Sequence, residues 1–443
     1  MNKRIALGIF LICFVVRLAY GWQSLITPEA VLSSDGRGYL ELAGELAHGR
    51  FPSLFRTPGY PLFLMMTGGL PGTSPLTSLL SQMILDSLTA VILASIAWRL
   101  WGNQTVSLLA GLLYAISPVA VTLSGMIMSE TLSVFLIVAA FRLALSTPSW
   151  INTTIQALCW VGTTLSRPFS ILLPLIICAF LLLWFHRTGD DWSRRWKSQT
   201  AVLAFYVICL AAWTGWNYHR SGMVMFSANP DVSFYIYEIP AVRIVDQLSR
   251  TGYLRMALLR PKEFDRLGEE HQKAYARELY PDANPVPQDL WFTKDDPASI
   301  RRIRADAALR TRGRLADLLV IHLTGALITI RPKWASADLP TKLLEILRLL
   351  LIPMAVTALI WKRRWWLLAL FGVWMLYVAL PPGPCAFWRF RTLAEPIISL
   401  AAAFALMIIC GQQDSESGRD AEARAVVKTE EKRGWRRWKL FGE

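Results

Sequence analysis

Apolar runs long enough to cross a bilayer recur along most of this chain, and they set its class before any single residue is considered. A helix needs about 17–25 mostly apolar residues to span the hydrocarbon core, and fewer when it is buried in a bundle. Such runs lie near residues 5–22, 76–98, 105–121, 130–146, 154–166, 170–186, 199–217, 343–361, 365–381 and 393–411. Backbone polar groups in lipid must be satisfied internally, and runs of this length do so as helices. The expectation is an all-α polytopic membrane protein with about ten transmembrane helices. The fifth and sixth runs are short and meet at Arg167-Pro168, which predicts a broken hairpin. Composition agrees, with 54% of the 443 residues hydrophobic against roughly 45–50% in soluble domains.

Lys and Arg set the orientation. The loop 186–197, the turn Lys362-Arg363-Arg364 and the stretch 432–439 are basic, so they are expected on the cytoplasmic side. The N-terminus joins them, as a retained first span and signal anchor. The segments 23–75, 121–129, 167–169, 218–342 and 382–392 then face outward. Residues 315–330 are apolar but short, and contain Asp317 and His322. They read as an interfacial or buried helix, because a further span would move the later basic segments outside. The chain thus divides into an N-terminal membrane module (1–217) with a first outer loop (23–75), an outer, mostly helical segment (218–342), C-terminal membrane helices (343–411) and a polar cytoplasmic tail (412–443).

The formal charge is 46 − 32 = +14. In a soluble chain this would point to nucleic acid. In a membrane chain it reflects the positive-inside bias and attraction to anionic lipid, so membrane lipids are expected partners and nucleic acid is not. The six cysteines show no CxxC or Cys/His spacing, which supports neither a disulfide framework nor a zinc site.

Chemistry points to the first outer loop, Ser33 to Phe63, where the carboxylate of Asp35, the arginine Arg56 and the rigid prolines Pro58 and Pro61 are grouped beside the bilayer. Asp35 suits a general base or a group that orients an acceptor hydroxyl. It also suits a helix N-cap before Tyr39, Leu42, Ala43 and Leu46. Arg56, in Arg-Thr-Pro-Gly-Tyr-Pro, suits a phosphate held by rigid turns or a snorkelling arginine. Glu130 begins the fourth span, either as part of its cap or as a carboxylate facing a cavity. Arg167 sits at the hairpin tip. Arg389 and Arg391, in Trp-Arg-Phe-Arg, run against the positive-inside tendency and call for a negative partner. A lipid phosphate would serve, as would an ion pair with Asp35 or Glu130. Trp216-Asn217-Tyr218-His219-Arg220 ends span seven. Its aromatics suit an interfacial belt, and His219 has no second ligand spaced to join it in a metal site.

Taken together, these pieces resemble the GT-C superfamily of polytopic glycosyltransferases. The nearest branch is similar to the family 39-type lipid-phosphate-sugar transferases, which include protein mannosyltransferases and the aminoarabinose transferase of lipid A. Asp35-Gly36-Arg37-Gly38-Tyr39 resembles that family's first-loop acidic motif, and Arg56-Thr57-Pro58-Gly59-Tyr60-Pro61-Leu62-Phe63 its continuation. Ser129-Glu130-Thr131-Leu132, Thr164-Leu165-Ser166-Arg167-Pro168 and Trp213-Thr214-Gly215-Trp216-Asn217-Tyr218 resemble later motifs. Two positions depart from the pattern: Gly36 follows Asp35 where an acidic pair is usual, and Trp216 stands where an arginine is usual. The resemblance does not extend to the large C-terminal outer domain that some members carry.

The resemblance implies a GT-C-type bundle with outer-face loop helices, and inverting transfer of a sugar from a polyprenyl-phosphate donor to an acceptor hydroxyl on the outer face. The acceptor would be a lipid, glycan or protein, and the membrane a bacterial cytoplasmic one. On that reading Asp35 and Glu130 are catalytic. Arg56, Arg389, Arg391 and Arg167 bind the donor phosphate. Tyr39, Tyr60, Asn217 and His219 contact substrate. No metal is expected to be obligatory, with a divalent ion left open. Competing readings are a lipid-linked sugar transporter or flippase, a non-catalytic envelope subunit, and a surface-glycan polymerase or ligase.

Overall fold

The computed structural model describes residues 1–27, 32–188, 191–281, 294–330, 339–385 and 388–410. The cytoplasmic tail expected at 412–443 lies outside the described residues. Among these residues the chain is helical throughout, without a strand. The helices are α1 (Lys3–Tyr20), α2 (Trp22–Ile26), α3 (Ser34–Ala47), α4 (Gly59–Met66), α5 (Leu76–Trp101), α6 (Gln104–Ala115), α7 (Pro118–Ser124), α8 (Glu130–Ala144), α9 (Trp150–Ser166), α10 (Leu173–Thr188), α11 (Trp192–Ser221), α12 (Asn229–Ser233), α13 (Ile239–Leu259), α14 (Pro261–Leu279), α15 (Pro297–Thr311), α16 (Leu315–Ile330), α17 (Leu339–Trp361), α18 (Trp365–Ala379) and α19 (Glu395–Ile409).

Local chemistry sets the ends. Ser149 caps α9 by accepting from the Asn152 N–H at 3.1 Å, and Pro168 forces Arg167 out of the helical region (φ −143°, ψ 99°) to end it. Asp296 caps α15 by accepting from the Ser299 N–H at 2.8 Å. The run expected as one span at 105–121 is two helices, α6 and α7, bent by 56°. Pro118 cannot continue α6, and Ser117 caps α7.

Among the described residues five segments are long and apolar enough to cross a membrane by themselves: Leu76–Trp101, Pro168–Arg187, Trp192–Ser221, Thr341–Trp361 and Arg389–Ile409. Two bent pairs, α6 with α7 and α15 with α16, raise the number to seven if each counts as one span. The remaining expected spans are α1, α8, α9 and α18, of 18, 15, 17 and 15 residues. They pack as shorter members of the same bundle. α19 runs through its middle, with 89% of its apolar window buried, whereas α11 lies at the edge with 17%.

The bundle carries paired charges inside. Arg17 on α1 meets Asp86 on α5 at 2.6 Å, and Asp86 accepts the Tyr114 hydroxyl at 2.6 Å. Nearer the far end, Arg348 contacts Glu395, while Arg391 meets Glu345 at 2.5 Å and Glu395 at 3.1 Å. Each group sums to zero charge, as burial in lipid demands. Sequence reading did not single out any of Arg17, Asp86, Glu345, Arg348 and Glu395.

A second layer of helices, α3 and α4 with α12 to α16, covers one end of the bundle. The cores of this layer are built from Leu54, Phe55, Val232, Tyr235, Tyr275 and Ile303, and from Val242, Tyr253 and Ile321. α16 meets α15 at 107°. It presents Leu315, Leu319, Leu323 and Leu327 outward. Its inner face rests on the turn at Gly383, so closely that a Cβ on Gly325 would lie 1.9 Å from the Gly383 oxygen. Arg187 at the end of α10 and the basic turn 362–364 lie together at the opposite end of the bundle, as the alternating helix directions require.

Candidate functional site

The N-terminus of α8, the C-terminus of α9, helix α3 and the turn before α19 converge under the covering layer. α8 and α9 are antiparallel neighbours, so Glu130 at the start of one faces Arg167 at the end of the other. Their charged atoms are 2.7 Å apart, and Glu130 is 1% exposed. Asp35 lies in the first turn of α3 and leaves the capping to Ser33, whose hydroxyl accepts from the Gly36 N–H at 3.0 Å. Its carboxylate is thereby released toward the cavity. The Arg56 side chain donates to Asp35 Oδ1 at 2.9 Å and to the Asp35 carbonyl at 3.0 Å. Arg389 donates to Asp35 Oδ2 at 2.8 Å and lies 3.9 Å from Glu130 Oε1.

Two features fix Arg56. Its guanidinium stacks on the Tyr39 ring at 4.0 Å. Its turn is held by Asp295, whose Oδ1 accepts from the Ser53 hydroxyl and the Leu54 and Phe55 N–H groups at 2.6–2.9 Å. Gly59 then lets the chain press against α9, because a Cβ there would stand 2.6 Å from the Leu165 carbonyl carbon.

These side chains border a cavity of about 800 Å³. Aromatic walls come from Tyr39, Phe55, Phe169, Tyr237 and Phe390, and polar groups from Ser33, Ser129, Asn229 and Ser233. Among the described residues four cations (Arg56, Arg167, Arg389 and Lys294) stand against two carboxylates (Asp35 and Glu130), so that lining carries 4 − 2 = +2. Burial acts to raise the Asp35 carboxyl, but hydrogen bonds and charge from Arg389 and Arg56 outweigh it and hold it below the usual carboxylate range. It is ionised at neutral pH. Cys385 also lines the cavity, and burial pushes its thiol up to about 12, leaving it protonated and inert. Among the described residues no three His, Cys, Asp or Glu side chains gather to hold a metal ion.

No protein-family model and no curated protein sequence matches this chain. Among solved structures it is similar to the archaeal oligosaccharyltransferase AglB from Archaeoglobus fulgidus, in complex with an inhibitory peptide and a dolichol-phosphate. The TM-score is 0.51 at 12% identity, over 91% of this chain and 50% of that one. The fold is of the GT-C type. It is also similar, at TM-scores of 0.39 and 0.37, to ArnT from Cupriavidus metallidurans bound to undecaprenyl phosphate and in the apo state. Identities are 14% and 13%, over 90% of this chain and 78% of those. The chain spans half the length of AglB.

Within this GT-C-type bundle the sequence candidates separate into two groups. Asp35, Tyr39, Arg56, Glu130, Arg167 and Arg389 border one cavity. Arg391 does not, since its guanidinium turns into the bundle toward Glu345 and Glu395. Tyr60 is fully buried beneath the site, its hydroxyl on Gln82 at 2.5 Å and its ring edge-on to Tyr39 at 4.8 Å. Asn217 ties the chain behind α11, donating to the Phe226 carbonyl at 2.8 Å. His219, two residues on, is exposed. Asp295, Tyr237 and Lys294 were not found by sequence reading. Only Asp295 left a trace, as the first member of the Asp-Asp-Pro that opens α15.

Proposed function

We propose that this chain is a glycosyltransferase that moves a sugar from a polyprenyl-phosphate donor to an acceptor hydroxyl, with inversion, on the outer face of a bacterial cytoplasmic membrane. The observation that carries the reading is Asp35 held between Arg56 and Arg389 in a cavity with a cationic excess. A donor phosphodiester carries one negative charge, and the departing phosphate monoester carries about −1.5 to −2. An excess of two positive charges therefore matches the leaving group better than the ground state, which is where electrostatic catalysis gains its effect. The fold supports the same ligand class, since the AglB structure holds a dolichol-phosphate.

In this mechanism Arg56 and Arg389 lie alongside the sugar, reaching Asp35 on the acceptor side and the donor phosphate on the other, with Arg167 and Lys294 behind the phosphate. The acceptor oxygen attacks the anomeric carbon from the opposite face. Its proton passes to Asp35 as the bond from the anomeric carbon to the phosphate oxygen breaks, and both electrons of that bond leave with the phosphate. Donor binding also prepares the base. The phosphate draws on the two guanidiniums from the far side, and a carboxylate that shares them is more basic. Glu130 keeps Arg167 in place and orients the acceptor. The aromatic walls suit the faces of a sugar ring, and the arginines supply the positive charge that the leaving group needs, with no divalent ion required.

Purified wild type and Asp35→Asn, given a panel of polyprenyl-phosphate sugars, test the proposal. Sugar release or transfer by wild type alone is expected. Equal turnover by both removes Asp35 as base. Movement of intact donors across proteoliposomes without sugar release replaces the enzyme reading with a transporter.

A further inference from the structure

At the end of the bundle remote from the carboxylates lies a second cavity, of about 230 Å³. The C-terminal turns of α5 and α10 and the start of α18 enclose it. Its inner wall is Leu100, Trp101 and Phe180, all buried, and its mouth carries Trp184, Trp365 and Trp366. Arg187, Arg363 and Arg364 stand on the rim, and among the described residues no carboxylate lines it. Arg187 stacks over the Trp366 ring at 4.2 Å. Neither Arg187 nor Arg363 has an ion-pair partner among the described residues. A small apolar gap shares Leu100, Trp101 and Leu367 with this cavity and extends it inward between α5, α18 and α19.

We propose that this cavity is a binding site for an anionic glycerophospholipid. Three features combine: a recess with an apolar floor, indole rings at the level where a head group meets its chains, and guanidiniums placed at the mouth. Tryptophan prefers that interfacial level, arginine matches a phosphate in shape and charge, and basic pockets between helices are the recognised form of a head-group site. The phosphate sits between Arg187 and Arg363, with the glycerol and upper acyl carbons against Trp184 and Trp366. This inference is independent of the glycosyltransferase reading, because none of these residues borders the Asp35 cavity.

Native mass spectrometry of the full chain in detergent, with added phosphatidylglycerol or phosphatidylcholine, tests it. Wild type is expected to retain phosphatidylglycerol in preference to phosphatidylcholine, and excess inorganic phosphate is expected not to displace it. In Arg187→Gln/Arg363→Gln, retention of phosphatidylglycerol should fall roughly thirtyfold, about 2 kcal/mol for two basic contacts. Lys3→Gln/Arg4→Gln removes the same charge from the same end but outside the cavity, and should leave retention unchanged. An equal fall in both double variants would mean diffuse attraction to a basic surface and would overturn the proposal. So would equal retention of the two lipids by wild type, a result that does not depend on any variant folding. Displacement by inorganic phosphate would assign the site to a free anion instead.

Discussion

Replacing Asp35 with asparagine removes the base and leaves its two guanidinium partners in place. General-base catalysis contributes about 10²–10⁴ in rate, or roughly 3–5 kcal/mol of the barrier. The same change raises the cationic excess of the lining from +2 to 4 − 1 = +3. Arg56 and Arg389, no longer held at 2.9 and 2.8 Å by a carboxylate, are then more available to a phosphate. Asp35→Asn should therefore lower kcat by two to four decades while donor affinity stays level or improves. Steady-state kinetics with varied donor, together with direct binding of the polyprenyl phosphate product, separate the two effects. The fold should survive, because the side chain is partly solvated and its amide replacement still accepts from one arginine. A variant that keeps its kcat but binds donor more weakly would refute the reasoning. It would make Asp35 a donor-binding group instead of a base.

The same geometry sets the outcome of other perturbations. Arg389→Gln should weaken donor binding about tenfold and move the acid limb of kcat/KM to higher pH. Activity is lost as pH falls through the Asp35 pKa, which Arg389 holds down, so an unshifted limb in the pH profile would count against that pairing. Asp295→Ala releases the turn that carries Arg56 and leaves the Leu54 and Phe55 N–H groups without their acceptor, so donor KM should rise about tenfold and the melting temperature should fall, as kinetics and thermal denaturation would show. Gly59→Ala drives a methyl group into the α9 backbone and should cost about 1–3 kcal/mol, read as a lowered melting temperature. His219→Ala should be indistinguishable from wild type in the same donor-transfer assay.

The helical membrane class was legible because twenty-residue apolar runs have few other outcomes. Much of the candidate cavity's lining was legible too, because Asp35 and Arg56 share one loop and Arg389 stood out as a cation in need of a partner. Arg391 shows where such reading ends. It was grouped with Arg389 by charge and proximity, yet residues two apart on a helical turn point to opposite sides. One therefore enters the cavity and the other the bundle. Asn217 and His219 repeat the lesson on α11. The buried pairs Arg17–Asp86 and Arg348–Glu395 join residues 69 and 47 positions apart. No local pattern announces a contact of that kind. Asp295 is distant in the same way, since it acts on a turn some 240 residues earlier.

The charges sealed between α17 and α19 also bear on how the molecule is made. Arg348, Glu345, Arg391 and Glu395 are each unwelcome in lipid alone and neutral only together, so neither helix is comfortable in the membrane until the other arrives. Arg389 sits on the turn that this docking fixes. A nascent chain therefore holds Asp35, Arg56, Glu130 and Arg167 long before it holds the last arginine in register. The cavity closes as α19 seats, and a chain released early from the ribosome would carry a half-built site.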